Sequence, residues 1–309
     1  MNLSDLTYDN FQFLNEDSTF WDTKMAAIVR QENLPEGTLT RFSYGSNIVY
    51  SYNHDVVIKL FPSYFNDQFH REVEVLQAID ERITSVETPK LISVGSLEGW
   101  NYLIMSELKG ILLIDLWDEL SIEERKACSV ALGKVIKEFH QVPTEHFSKI
   151  NVNWREFIHS QYQNRKLNQA DLPQLLLESL ETYVDESFIE YNPQLKLLTG
   201  EYTPFNLLFN KVDGVWTLTG VIDFADCFLG DGDYDLLGPI LFMFNGNKEL
   251  TSSFLKSYGY EEHNDALRKK LMTYSILHRY SDINFYIQKN EQAGKSKDFQ
   301  EISTYLFHF

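Results

Sequence analysis

Cysteine is almost missing from this chain of 309 residues: Cys128 and Cys227 are the only two. Two thiols cannot make a disulfide framework, and there is no C-x-x-C pair for zinc, so a reducing, cytoplasmic compartment is expected. Positive charge is also scarce. Against 45 Asp and Glu stand 27 Lys and Arg, a net charge of −18 and a pI near 4.8. Nucleic acids and anionic membranes need a basic face that displaces counterions, so neither is an expected partner. The balance would suit a cationic ligand, but on charge alone plain solubility is the better reading. Long apolar runs are lacking too. The longest strongly apolar stretch, Leu236 to Phe244, is too short to span a bilayer, and the Met1-Asn2-Leu3-Ser4-Asp5-Leu6 start has neither a basic n-region nor an apolar core. No internal repeat or low-complexity linker interrupts the chain. What remains is a globular sequence with 43% hydrophobic and 14% aromatic residues, enough for a large interior.

The first third reads as β structure. Thr38 to Phe42, Ile48 to Tyr52 and Val56 to Phe61 are strands, with turns at Ser43-Tyr44-Gly45-Ser46-Asn47 and Asn53-His54-Asp55. A helix follows over Asp67 to Ile83, because Phe69, Val73, Leu76 and Ile83 recur at helical spacing. Two further strands, Pro89 to Val94 and Tyr102 to Ser106, flank a Leu97-Glu98-Gly99 turn. Gly110 opens a helical half: Ser121 and Glu124 form a capping box for a helix from Ile122 to His140, and helices are expected over Trp154 to Asn168 and Leu172 to Ile189. A hairpin covers Asn206 to Lys211 and Val215 to Phe224 around Asp213-Gly214. Residues 1–30 read as a helical addition. The expected architecture is α+β and bilobal, protein-kinase-like. A small antiparallel-sheet lobe with one helix (1–108) precedes a larger, mostly helical lobe (109–309).

Chemistry concentrates in Glu201-Tyr202-Thr203-Pro204-Phe205-Asn206 and in Val221-Ile222-Asp223-Phe224. Phosphoryl transfer to a hydroxyl needs a carboxylate near the acceptor and oxygen ligands for the metal ions, and Glu201, Asn206 and Asp223 supply that set. The E-x-x-x-x-N spacing equals the D-x-x-x-x-N of a kinase catalytic loop. Glu201 is then a base for the acceptor hydroxyl or a group that orients it. Taken alone, Asn206 reads equally well as a turn residue.

Lys59 stands among apolar neighbours, so it either faces solvent or meets a buried anion. Glu72 shares the apolar stripe of the following helix with Phe69, Val73 and Leu76 and is costly there unless paired, which makes it the expected partner. Ser43, Gly45 and Ser46 lie where a phosphate-covering loop would be, though most such turns only join strands. Asp226, Asp231 and Asp233 crowd the segment after Asp223. They are either an acceptor-facing acidic cluster or turn residues, and Asp235 is read as a helix cap that tethers the catalytic loop.

The order of these residues resembles the aminoglycoside phosphotransferase and choline kinase group of small-molecule kinases. The family block H-G-D-x-H-P-x-N-x-L is similar to Thr199 through Leu208, with Thr199 and Thr203 at the histidines and Glu201 at the aspartate. Its I-D-F-x-D-x-x-x-G-D-x-x-Y-D-L block resembles Ile222 through Leu236 with one residue inserted before Tyr234. The Phe69-His70-Arg71-Glu72 helix entry, the Tyr102 to Gly110 hinge and Phe139-His140-Gln141-Val142-Pro143 are similar as well.

The resemblance implies ATP or GTP and Mg²⁺ as cofactors, with Asn206 and Asp223 binding the metal. It also implies Lys59, paired with Glu72, on the phosphates, and Met105, Ser106, Glu107 and Leu108 as the purine-binding hinge. The expected activity is transfer of the γ-phosphate to a hydroxyl of a small, cationic acceptor, an aminoglycoside or amino alcohol. The alternative left open by Glu201 is a pseudokinase that binds nucleotide without transfer.

Overall fold

The computed structural model describes residues 1–43, 45–150 and 152–309 and divides into two compact units, each described by itself. Unit 1 comprises Met1–Lys109 with Gly220–Asp226, and unit 2 comprises Gly110–Thr219 with Cys227–Phe309. Tyr44, which the sequence assigns to the first turn, lies outside the described residues.

Unit 1 begins with two helices, α1 (Tyr8–Leu14) and α2 (Ser18–Gln31), each opened by a side-chain cap, Thr7 and Asp17. An antiparallel five-stranded sheet follows, in the order β1 (Leu39–Arg41), β2 (Ile48–Tyr52), β3 (Val56–Phe61), β5 (Trp100–Ser106), β4 (Leu91–Leu97), with α3 (Asn66–Ile79) between β3 and β4. The helical addition forms a core with one face of the sheet, where Trp21, Met25 and Ile28 pack among Tyr50, Trp100 and Tyr102. Its N-terminus is held electrostatically. Glu98, at the β4–β5 turn, accepts from Leu3 N at 2.7 Å and pairs with Lys24 at 2.7 Å.

Trp21 is fully buried, stacks edge-on with Phe20 and donates its indole N–H to Leu14 O at 2.8 Å. Truncating it to alanine is expected to cost about 3–5 kcal/mol by denaturant titration. A loss below about 1 kcal/mol would show that the addition is not part of the folded core.

Unit 2 opens with β6 (Ile111–Leu112), a short α4 (Leu113–Leu116) and the long α5 (Ile122–Phe139). The Ser121–Glu124 capping box of α5 is present. Next come α6 (Trp154–Asn168), α7 (Gln174–Tyr183), β7 (Lys196–Leu198), β8 (Leu207–Val212), β9 (Val215–Val221) and β10 (Phe228–Gly230). β6, β8 and β9 make one sheet and β7 with β10 another. Four helices close the chain: α8 (Lys248–Tyr258), α9 (Asp265–Ile276), α10 (Ile283–Lys289) and α11 (Phe299–Leu306). The expected helix over Leu172 to Ile189 stops at Tyr183. Asp185 then caps a separate 3₁₀ turn, its carboxylate accepting from Ser187 N at 2.9 Å, which ends helical continuation.

Candidate functional site

In unit 1, β3 delivers Lys59 into the interior, where the side chain is 4% exposed. Its ammonium lies 2.7 Å from Glu72 Oε2 on α3 and 2.9 Å from Asp223 Oδ1. α3 carries Glu72 because Phe69, Val75, Leu76 and Ile79 fix its buried face, and Glu72 falls on that face with no exposed surface. The end of β9 and the residues after it bond to this unit through their main-chain N–H groups. Val221 N donates to Glu87 O at 3.1 Å, and Phe224 N donates to Glu72 Oε1 at 3.4 Å.

Three charges at one point would be costly without mutual compensation. Burial drives the Lys59 pKa down, but the two carboxylates outweigh it and the ammonium is held charged above the ordinary lysine range. Burial raises Glu72, which Lys59 only partly offsets. Asp223 shows the opposite outcome. Burial would raise it, yet Lys59 holds it below the usual carboxylate range. With 39% of its side chain exposed, Asp223 is the member of the group that meets solvent. Its φ of 65° turns the chain left-handed, and its Oδ1 also accepts from Ala225 N at 3.3 Å. Among the described residues both of these bonds fall on Oδ1 and none on Oδ2.

The expected hinge residues end β5. Ser106 N bonds Lys90 O and Glu107 N bonds Asp55 O, both at 2.9 Å, while the Glu107 carboxylate accepts from Ser51 Oγ. The N–H groups of Ser106 and Glu107 are therefore spent inside the unit, and Leu108 carries the hinge donor not used in this way. Gly45, in the expected phosphate-loop turn with Ser43 and Ser46, has φ 121°, a conformation natural only to glycine.

In unit 2, the loop from Thr199 to Asn206 is fixed from behind. Asp235 is 2% exposed and accepts from Thr199 N at 3.0 Å and Gly200 N at 2.8 Å, and His140 Nε2 lies 3.1 Å from its Oδ2. The tether expected of Asp235 is thus seen, with His140 as its buttress, but the cap is not: Asp235 lies inside the short helix Gly232–Leu236, which Asp231 caps. Gly200 has φ 74°, a backbone conformation that favours glycine. Asn206 Nδ2 donates to Glu201 O at 3.1 Å. That bond orients the amide and leaves Oδ1 as an acceptor.

Asp231 and Asp233 are buried. Lys270 bridges them, at 2.8 Å from Asp231 Oδ2 and 2.5 Å from Asp233 Oδ2, while Tyr274 OH donates to Asp231 at 2.8 Å and Tyr260 OH to Asp233 at 2.6 Å. They line an open pocket of about 360 Å³ with Tyr258, Tyr260, Lys270 and Glu190. Lys270 gave no sequence signal, since nothing in its helix pattern marks it as the counter-ion of that acidic run. Asp226 falls in unit 1, where its Oδ1 accepts from Gln68 Nε2 at 3.3 Å.

Among the described residues no three His, Cys, Asp or Glu converge to hold a metal. In unit 1 Asp223 offers a carboxylate oxygen and in unit 2 Asn206 offers an amide oxygen, each a hard donor of the kind that Mg²⁺ takes and that zinc or copper does not prefer. No described helix is long and apolar enough to cross a membrane.

The model of the phosphotransferase enzyme family matches residues 44–269. Among solved structures, a GDP complex of aminoglycoside 2'-phosphotransferase-IIIa superposes with a TM-score of 0.70 at 18% identity, covering 90% of this chain and 97% of that one. A streptomycin–ATP ternary complex of APH(2")-IIa gives 0.60 at 22% identity, covering 84% and 91%. Macrolide 2'-phosphotransferase MphH from Brachybacterium faecium gives 0.61 at 16% identity, covering 92% and 98%. A curated relative, a lysine-specific demethylase of Arabidopsis thaliana, is 24% identical over 211 residues; the match takes 54% of this chain and 22% of that protein. The chain thus spans about a fifth of that relative's length. At these identities the solved structures show the fold.

Proposed function

The chain belongs to the phosphotransferase enzyme family, and from that premise we propose that it moves the γ-phosphate of ATP or GTP to a hydroxyl of a small cationic acceptor. The observation that carries this reading is the Lys59–Glu72–Asp223 group, in which one ammonium is held charged by two carboxylates and one of those carboxylates reaches solvent. A charged, positioned ammonium is what nucleotide phosphates require.

In this reading Glu72 fixes Lys59, and Lys59 meets the phosphates. Met105 to Leu108 hold the purine through main-chain groups, with the N–H of Leu108 and the carbonyl of Ser106 as the natural pair. Ser43, Gly45 and Ser46 cover the phosphates through backbone N–H groups. Asp223 and Asn206 are the proposed Mg²⁺ ligands. When bound, Mg²⁺ neutralises charge on the phosphate oxygens. Glu201 accepts the proton of the acceptor hydroxyl or orients that hydroxyl, and the Asp235–His140 tether keeps the backbone before Glu201 in place. Asp226, Asp231 and Asp233 are the proposed acceptor-facing carboxylates. Asp231 and Asp233 enter that role with their charge already offset by Lys270.

Streptomycin, GDP and macrolides belong to the similar proteins named above. For this chain the acceptor class rests on its own net charge of −18 and on these acidic residues.

The test pairs melting-temperature shifts in Mg·ATP and Mg·GTP with product analysis over a panel of aminoglycosides and amino alcohols. Stabilisation by several degrees together with a phosphorylated product is expected. Stabilisation with no product on any acceptor favours the pseudokinase alternative, for which Glu201 at the aspartate position is the specific ground. Neither stabilisation nor product overturns both.

A further inference from the structure

Above the Glu72 contact, one helical turn earlier on α3, a second side chain reaches the same segment of unit 1. Gln68 Nε2 donates to Asp226 Oδ1 at 3.3 Å, and Gln68 Oε1 accepts from Asn47 Nδ2 at 3.3 Å. Gln68 and Glu72 are four residues apart and therefore share a face of the helix. α3 thus holds the Asp223–Asp226 turn at two points, about 6 Å apart along its axis. Only the upper one continues to the turn between β1 and β2.

The direction of this chain is set by charge. A carboxylate only accepts, so Gln68 must present its NH₂ to Asp226 and its carbonyl oxygen to Asn47. Asn47 must then present its own NH₂, and among the described residues its Oδ1, buried in a residue 7% exposed, accepts no hydrogen bond. An unpartnered buried carbonyl is unfavourable by about 1–3 kcal/mol. Asn47 is therefore a poor packing residue, and its side-chain bond ties the Gly45–Asn47 turn to Gln68.

We propose that Gln68 is a positioning residue that couples the Gly45–Asn47 turn to Asp226 and the Asp223 turn. A nucleoside triphosphate thereby meets a phosphate loop and a metal-binding turn already in register. The ligand effect rests on the nucleotide reading given above; the coupling between the two turns does not. The sequence gives no sign of this arrangement: Gln68 stands one turn before Glu72, but an amide on a half-buried face does not announce a partner.

Gln68→Met keeps the side chain's length and removes both bonds. In the full chain, the backbone amides of Ser46 and Asn47 and those of Ala225 and Asp226 are expected to exchange with solvent faster together in this variant. Affinity for Mg·ATP or Mg·GTP should fall by about tenfold, the scale of one charge-assisted hydrogen bond, while affinity for adenosine or guanosine is retained. Asn47→Ala, approached from the other end, should loosen Ala225 and Asp226 in the same way and guards against misfolding of the first variant.

Faster exchange at one turn only, or equal loss of nucleoside and triphosphate affinity, overturns the proposal. If the wild-type protein binds no nucleoside triphosphate, the nucleotide reading fails on its own, and the exchange experiment still decides the coupling.

Discussion

Replacing Asp223 by asparagine is expected to lower phosphotransfer by about 10³-fold or more, because the group removed is the negative charge of the proposed Mg²⁺ ligand. The fold should hardly notice. Asn, like Asp, tolerates the left-handed backbone that φ 65° imposes, and its amide oxygen still accepts from Lys59. Lys59 also keeps Glu72 at 2.7 Å. The melting temperature should therefore move by only a few degrees. Alanine at the same position is a less clean probe, since a Cβ without a local hydrogen bond is strained there by about 1–2 kcal/mol. Product formation by the asparagine variant at the wild-type rate would remove Asp223 from the reaction.

Lys59→Met has a different signature, because it acts on both stability and activity. Glu72 has no exposed surface and would lose its counter-charge, and an uncompensated buried carboxylate costs about 3–5 kcal/mol. For a protein of this size that is roughly 10 °C in melting temperature. The cost depends on pH. Burial already raises the Glu72 pKa, and without Lys59 it rises further, so the folded state holds a proton that the unfolded chain releases above the ordinary carboxylate range. Stability then falls as pH rises through the interval between the two pKa values. The deficit relative to wild type should accordingly be larger at pH 8 than at pH 5 in urea titrations. Adding Glu72→Met should restore much of the stability and none of the activity. A variant as stable as wild type at pH 8 would mean that Lys59 does not compensate Glu72.

Strands β2 and β3 were legible to the residue. Their turn is set by Asn53 and His54, both at positive φ, and their apolar residues need a sheet between two covered faces. The capping box of α5 and the bounds of α6 were equally plain, since caps are local chemistry. β7 was missed because three residues carry no period, and it exists only through its pairing with β10.

The site divides along the same line. Glu72 betrayed itself as a charge on an apolar stripe, and Lys59 as a charge in an apolar strand. Lys270 and Gln68 meet their partners across long sequence separations, and nothing local in their helices anticipates those contacts. The burial of Asp231 and Asp233 beneath Lys270 was likewise invisible, because a run of aspartates around glycine reads as solvated turn chemistry until a lysine from α9 closes over it.

Most of the account turns on Glu201, whose extra methylene relative to aspartate displaces the carboxylate by somewhat over an ångström, enough to change a rate by about 10²-fold. The most direct measurement is single-turnover transfer of labelled γ-phosphate by wild type and by Glu201→Gln, with an acceptor that the panel identifies. The account predicts transfer by wild type and a loss of at least about 10²-fold in the glutamine variant, with Mg·nucleotide affinity unchanged. Equal rates in the two proteins, or tight Mg·nucleotide binding by wild type with no transfer to any acceptor, would contradict it.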